Sequence, residues 1–477
     1  MGNLFRKKSI ETMLDQSKAH VLKRSLGALD LTFLGIGAII GTGIFVLTGI
    51  VAAQSAGPAL VISFILSGIA CALAALCYAE FSSSVPIAGS VYTYTYATIG
   101  EFFAFLIGWD LMLEYLLAVS SVATGWSAYF QSLLSGFGVN IPKILSSSPG
   151  SGHGGIIDLP AVLIILFITM LLSRGVQGSA RFNNIMVIIK LIVILGFIVT
   201  GIGYVKPDNW HPFMPFGFHG VVTGAATVFF AYLGFDAVAT ASEEVKKPQK
   251  NVPIGIIASL GICTILYIVV SGILTGIVPY TKLNVSDPVS FALKFINHDK
   301  MAGLISFGAL AGITTVLLVM AYGQVRITFS MSRDGLLPKS FSTVHPKFKT
   351  PFVNTWITGI IAAVIAGFVD LTTLAHLVNI GTLAAFTLIS IAVIIMRKTH
   401  PNLKRSFKVP LVPILPIISA LCCVYLMLNL PAITWKAFVI WLVIGIIVYF
   451  LYARKHSHLN HSKTANHTIN DSELNKR

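Results

Sequence analysis

The chain is 477 residues long, 55% of them hydrophobic and only 11% charged, with a mean hydropathy of +0.83. That composition excludes an ordinary soluble domain and points to a protein embedded in lipid. The formal charge of +15 does not indicate nucleic acid. With the spans given below, about 26 Lys and Arg fall on the side of the N-terminus and about 6 on the other, with one deep inside a span. This asymmetry predicts a multi-pass protein of the cell membrane with both termini cytoplasmic.

Residues 1–27 read as a polar, basic cytoplasmic segment without a cleavable signal peptide. Apolar runs then predict an all-α integral membrane protein of about twelve spans. They cover residues 28–54, 58–82, 102–131, 158–173, 180–204, 219–243, 253–279, 303–331, 352–370, 374–397, 411–430 and 433–453. We expect spans one to five (28–204) and six to ten (219–397) to form two five-helix halves. Spans eleven and twelve (411–453) would follow, then a polar, disordered tail at 454–477. The loop Ser132–Ile157 is rich in Ser, Gly and Pro and reads as irregular. Asp287–His298 reads as a short surface helix. The five cysteines lie in apolar runs, without ligand or disulfide spacing, and read as packing residues. The histidines of the tail read as part of a flexible polar segment rather than as metal ligands.

The first span carries four glycines in Gly35-Ile36-Gly37-Ala38-Ile39-Ile40-Gly41-Thr42-Gly43. They either pack small faces together or let the helix open. An open helix bares N–H and C=O groups, which lipid tolerates only where they line a protein cavity. A matching signal stands five spans later, in Phe229-Phe230-Ala231-Tyr232-Leu233-Gly234-Phe235-Asp236. Interrupted helices at corresponding places in two halves point to an inverted repeat around a central site. A half-helix N-terminus attracts a carboxylate and bared carbonyls attract an ammonium, so the pair suits an amino acid zwitterion. We therefore expect Thr42, Gly43 and Ile44 to donate backbone N–H groups to the carboxylate. Carbonyls near Ile39, Phe230, Ala231 and Leu233 should accept from the ammonium.

Lys190 lies about ten residues into span five among apolar neighbours, and an ionisable group at that depth is a functional candidate. It either changes protonation during a transport cycle, the reading we carry forward, or is a permanent ammonium held by carbonyls of span one or by a buried carboxylate. Glu114 in span three either faces the pocket, favouring a cationic or protonated substrate, or is a carboxylic acid joining helices. Asp110, one turn earlier, reads as structural, although either acid is a possible partner for Lys190. Met320 in span eight either sets pocket depth or simply packs. Glu80, Glu101, Glu243, Glu244, Arg174, Arg181, Arg326, Arg333 and Asp334 gather at the cytoplasmic ends. Ordinary solvated charge is the commoner meaning of such a group, and gating ion pairs are the alternative. His376 reads as an interfacial histidine. No Walker A motif, metal cluster or hydrolase triad is present in the sequence, so neither enzyme chemistry nor a cofactor is expected.

Several motifs together resemble the amino acid–polyamine–organocation permeases. They are Gly35–Phe45, Ala79-Glu80-Phe81, Pro86-Ile87-Ala88-Gly89-Ser90-Val91-Tyr92-Thr93-Tyr94, Gly100-Glu101-Phe102 and Gly108-Trp109. Glu243 to Pro253 and Arg333-Asp334-Gly335-Leu336-Leu337-Pro338 resemble the bacterial form of the cationic amino acid transporter branch. The resemblance runs from about Leu26 to Tyr452. It implies the leucine-transporter fold, with a five-plus-five inverted repeat and broken helices one and six, and proton-coupled uptake of L-amino acids, small neutral or cationic. It also implies that Lys190 occupies the place where sodium-coupled relatives bind an ion. By the same resemblance the backbone contacts carry over to Ile39, Thr42, Gly43, Phe230, Ala231 and Leu233. An amino acid or polyamine exchanger and a non-transporting receptor are the alternatives. The expected partners are the substrate, protons, the bilayer and, as an open case, a small single-span accessory subunit.

Overall fold

The computed structural model describes residues 6–8, 26–84, 90–151, 154–175, 180–240, 245–403 and 405–459. Glu243 and Glu244, Pro86 to Gly89 and most of both terminal segments lie outside the described residues. Among the described residues the fold is helical, with two isolated bridges and no strand. The helices are α1 (Ala28–Ile39), α2 (Leu60–Ser84), α3 (Ser90–Thr98), α4 (Glu101–Gly136), α5 (Leu159–Ser173), α6 (Ala180–Gly201), α7 (Gly217–Val228) and α8 (Ala237–Thr240). They continue as α9 (Pro248–Ile277), α10 (Pro288–Phe295), α11 (Asp299–Arg333), α12 (Phe352–Phe368), α13 (Leu371–Thr399), α14 (Ile414–Leu428) and α15 (Ala432–Val448).

Among the described residues, seven helical stretches are long and apolar enough to cross a membrane: Gly43–Ser84, Glu101–Gly136, Asn183–Tyr204, Pro248–Ile277, Asp299–Arg333, Leu371–Thr399 and Ala432–His456. Five further apolar helices are shorter, among them Ala28–Ile39 and Gly217–Tyr232, the two that end in a break. A helix apolar all round has no water face to offer. Accordingly α6 and α14 turn large side chains outward, with Ile192 62%, Val199 74% and Leu428 67% exposed. α9 starts at Pro248, five residues before the predicted boundary, because proline suits the first helical turn, where its missing N–H costs nothing.

Packing places the two interrupted helices at the centre. α1 lies against α6, α9 and α11, while α7 lies against α2 and α13. The scaffold around them pairs α4 with α11 and α13, and α5 with α12. Leu26, just before α1, bridges in parallel to Val245, beyond the second break, and Lys246 donates its N–H to the Leu26 carbonyl at 2.9 Å. The two broken helices are therefore tied together at the N-terminal end of α1.

Candidate substrate site

The first break follows from the glycine-rich run. α1 ends at Ile39, Ile40 is extended (φ −74, ψ 102), and the chain resumes at Gly43–Leu47 as a π-helical turn. The first N–H beyond the break to find a carbonyl is that of Phe45, which reaches Gly41 at 3.4 Å. Among the described residues no backbone carbonyl accepts from Thr42, Gly43 or Ile44. The Thr42 hydroxyl donates to the Val122 carbonyl at 3.4 Å.

The second break begins as a tight 3-10 turn at Phe229–Tyr232, after which Leu233 is extended and Gly234 turns to φ +109. That backbone disfavours any side chain, and an added Cβ would also stand 2.9 Å from Ala38. Helix resumes at Ala237. The two breaks touch directly, since a Cβ on Gly43 would lie 2.4 Å from the Ala231 Cα. Ile39, Thr42, Gly43, Ile44, Phe230, Ala231 and Leu233 are all buried around this contact.

Two side chains close the exposed backbone. The Lys190 ammonium, fully buried, donates to the carbonyls of Gly37 (2.7 Å) and Ile40 (3.0 Å). Its partners are thus the carbonyls of the broken helix, not Glu114 or Asp110. Those acids lie instead with Asp236, which follows the second break and accepts from the Tyr115 hydroxyl at 3.2 Å. Among the described residues, one oxygen each of Asp110 and Glu114 is buried without a hydrogen-bond partner. The Tyr267 hydroxyl of α9 stands 3.0 Å from the Ile39 carbonyl and 2.7 Å from that of Ala231. With one proton it donates to one of them at a time, so it spans both breaks.

Sequence reasoning missed Tyr267, although a buried tyrosine in an apolar helix always needs a partner for its hydroxyl. Met320 is 7% exposed and lies one turn from Val316, whose side chain abuts Gly41 of the first break. His376 contacts the Thr227 hydroxyl at 3.1 Å, which links α13 to α7.

A cavity lies to one side of the site. A cavity of about 950 Å³ runs from Asp287 and Lys294 down to Val46 and Thr124, within about one helical turn of Thr42 and Gly43. At its rim Ser132 donates to Asp287 at 2.5 Å, and Lys294 pairs with the same carboxylate at 3.6 Å. Burial pushes the Asp287 carboxyl above its ordinary range, against the opposing pull of Ser132 and Lys294.

The opposite face is shut. Glu80, fully buried, takes Arg397 at 2.6 Å, Arg405 at 3.5 Å and the Val409 N–H at 2.7 Å. Glu101, also fully buried, accepts from Tyr96, Tyr449 and Ser457 and pairs with Arg6 at 3.9 Å. Asp334 takes Lys8 at 3.2 Å and Tyr92 at 2.8 Å. Solvated charge was the commoner expectation for these acids. The structure corrects it for Glu80 and Glu101, whose fully buried carboxylates are each met by several donors.

Residues 26–452 match the family described as amino acid permease. The methylthioribose transporter of Bacillus subtilis (strain 168) is 67% identical over 460 residues, covering 96% of this chain and all of that protein. The branched-chain amino acid permease BcaP of the same organism is 56% identical, covering 96% of this chain and 99% of the relative. The human cationic amino acid transporter 4 is 37% identical over 81% of this chain and 62% of its own length. With its helical spans and a match along nearly its whole length, the chain belongs to the amino acid permease family and is a membrane transporter rather than an enzyme.

Proposed function

We propose that this protein imports an L-amino acid across the cell membrane in symport with a proton, by alternating access around the two breaks. The observation that carries the reading is the seat of Lys190. A buried ammonium clasps the carbonyls that the first break bares, that of Ile40 two to four residues from the N–H groups of Thr42, Gly43 and Ile44, which among the described residues have no backbone acceptor. On this reading the substrate carboxylate takes the N–H groups of Thr42, Gly43 and Ile44, at the positive end of the resumed helix. Its ammonium takes carbonyls of Ile39, Phe230, Ala231 and Leu233. Tyr267 now touches two of these carbonyls and must yield one as the substrate arrives. The side chain points toward Phe230 and Met320, with Glu114 as the more distant polar wall. Loss of the Lys190 proton frees the carbonyls of Gly37 and Ile40, so α1 swings and the Glu80, Glu101 and Asp334 clusters part.

The same reading sets the topology: twelve crossings, five-plus-five halves at 28–204 and 219–397, and both termini in the cytoplasm. The 950 Å³ cavity is then the external vestibule. Proteoliposomes test the coupling. An inward proton gradient should drive accumulation in the wild type and none in Lys190→Ala. Uptake that ignores the gradient and requires internal substrate would make the protein an exchanger. Ligand binding without flux would make it a receptor.

The substrate has a second reading. The relative at 67% identity is named for methylthioribose, and the one at 56% for branched-chain amino acids. The two ligands share a small apolar tail, which Phe230 and Met320 suit, but only the amino acid is a zwitterion. Competition against labelled leucine separates them. Competition by valine and isoleucine supports the zwitterion. Uptake of methylthioribose with no response to any amino acid would replace it.

A further inference from the structure

A groove of about 600 Å³ opens on the outer surface of α9, away from the substrate site. Its floor is one helical face: Lys250, Pro253, Ile254, Ile257 and Ala258 recur at the three- and four-residue spacing that aligns side chains along a helix. Ser406 and Phe407, from the segment before α14, form the other wall. From Lys250 to Ala258 the floor descends about 12 Å along the helix axis. Ile254 and Ile257 remain 42% and 43% exposed, and the lining below the rim is almost wholly apolar.

The rim is different. Lys250 lines it, and Lys246, Lys247 and Lys408, close in the chain to lining residues, are exposed. Among the described residues, Glu80, whose carboxylate accepts the Val409 N–H beside Lys408, is fully buried and already paired with Arg397 and Arg405. Gln249 and Ser406 add polar side chains, and the rim is also the N-terminus of a 30-residue helix, whose dipole favours an anion. A cationic rim above a lipid-facing trough has two complementary needs: a phosphate at the membrane surface and hydrocarbon beneath it.

We propose that this groove binds an anionic phospholipid of the leaflet at the N-terminal end of α9. The phosphate would sit among Lys250, Lys408 and Ser406, and an acyl chain would lie along Ile254 and Ile257 against Phe407. A free anion would satisfy the rim alone, and a neutral lipid the trough alone.

The test uses the purified full-length chain in detergent. Its thermal midpoint is measured with phosphatidylglycerol, with phosphatidylcholine of the same acyl chains, and with soluble glycerol 3-phosphate. Phosphatidylglycerol should raise the midpoint by several degrees more than either. Lys250→Glu with Lys408→Glu, and separately Ile257→Trp, should each remove at least half of that difference. Native mass spectrometry should show a retained phosphatidylglycerol adduct on the wild type that is depleted in both variants. If the charge-reversal pair does not fold, Ile257→Trp and the wild-type adduct still decide the matter. An equal response to phosphatidylcholine, a full response to glycerol 3-phosphate, or an undiminished response in the variants would overturn the proposal.

Discussion

The two breaks do the same backbone work with different partners. At the first, a charged side chain reaches across from α6, and Lys190 holds two carbonyls at once. At the second, the Tyr267 hydroxyl meets the Ala231 carbonyl, Leu233 makes a weak turn bond to Phe230 and Gly234 takes a positive φ, while the Asp236 carboxylate just beyond accepts from Tyr115. A neutral contact has one state at any accessible pH, whereas an ammonium can be discharged. The difference teaches that bared backbone can be answered by a buried ammonium at one break and by a neutral hydroxyl at the other.

Removing the charge should have the largest effect. Lys190→Ala strands two buried carbonyls, each at a cost of about 1–3 kcal/mol. Accumulation should fall about 100-fold or more, equivalent to ~2.7 kcal/mol, while the protein still purifies as a monodisperse, helical species. Accumulation near the wild-type level would erase the contrast between the breaks.

Forcing the breaks apart comes next. Gly43→Ala drives a methyl group into Ala231, and Gly234→Ala places a side chain on a strained backbone beside Ala38. Overpacking or strain of about 1–3 kcal/mol is expected in each. Both should weaken substrate-induced thermal stabilisation, with Gly43→Ala the stronger because it separates the two halves of the cradle. Unchanged stabilisation in both would deny that the contact forms the site.

Tyr267→Phe removes the one hydroxyl the breaks share. It keeps the ring contacts with Phe64 and Tyr232, so only about 1 kcal/mol is lost, roughly a fivefold weakening of apparent affinity. An effect as large as that of Lys190→Ala would mean the neutral contact, not the charged one, governs the site.

The smallest effect lies outside both breaks and serves as a control. Burial keeps the proton on Asp287 to higher pH in the folded state than in the unfolded chain. The folded state therefore binds more protons above the ordinary carboxylate range. Stability from this group is complete at acid pH and declines as pH rises through the folded value. Asp287→Asn should flatten that decline in thermal midpoints while leaving substrate affinity unchanged. A midpoint profile identical to wild type would remove Asp287 as its source.

Much of the helical layout was legible because bilayer thickness imposes its length on every apolar run. The short surface helix at Pro288–Phe295 fell inside its expected segment. Both interruptions were legible because glycine in a buried helix is informative. What the chain order concealed was who meets whom. Lys190 stood out as a buried charge, but its choice of the Gly37 and Ile40 carbonyls over Glu114 depends on how α6 packs against α1. Tyr267 was silent for the same reason, since its acceptors lie 228 and 36 residues away. Glu80 looked solvated because its partner Arg397 is 317 residues distant. Pairings at such separations are created by the fold and leave no local pattern.

The central claim is that backbone bared at both breaks cradles a zwitterion. Binding of the best-stabilising L-amino acid should be compared with that of its methyl ester and its des-amino acid, by calorimetry on the purified protein. The account predicts that losing either charge lowers affinity at least tenfold, because each end faces its own break. Equal affinity for all three compounds would contradict it.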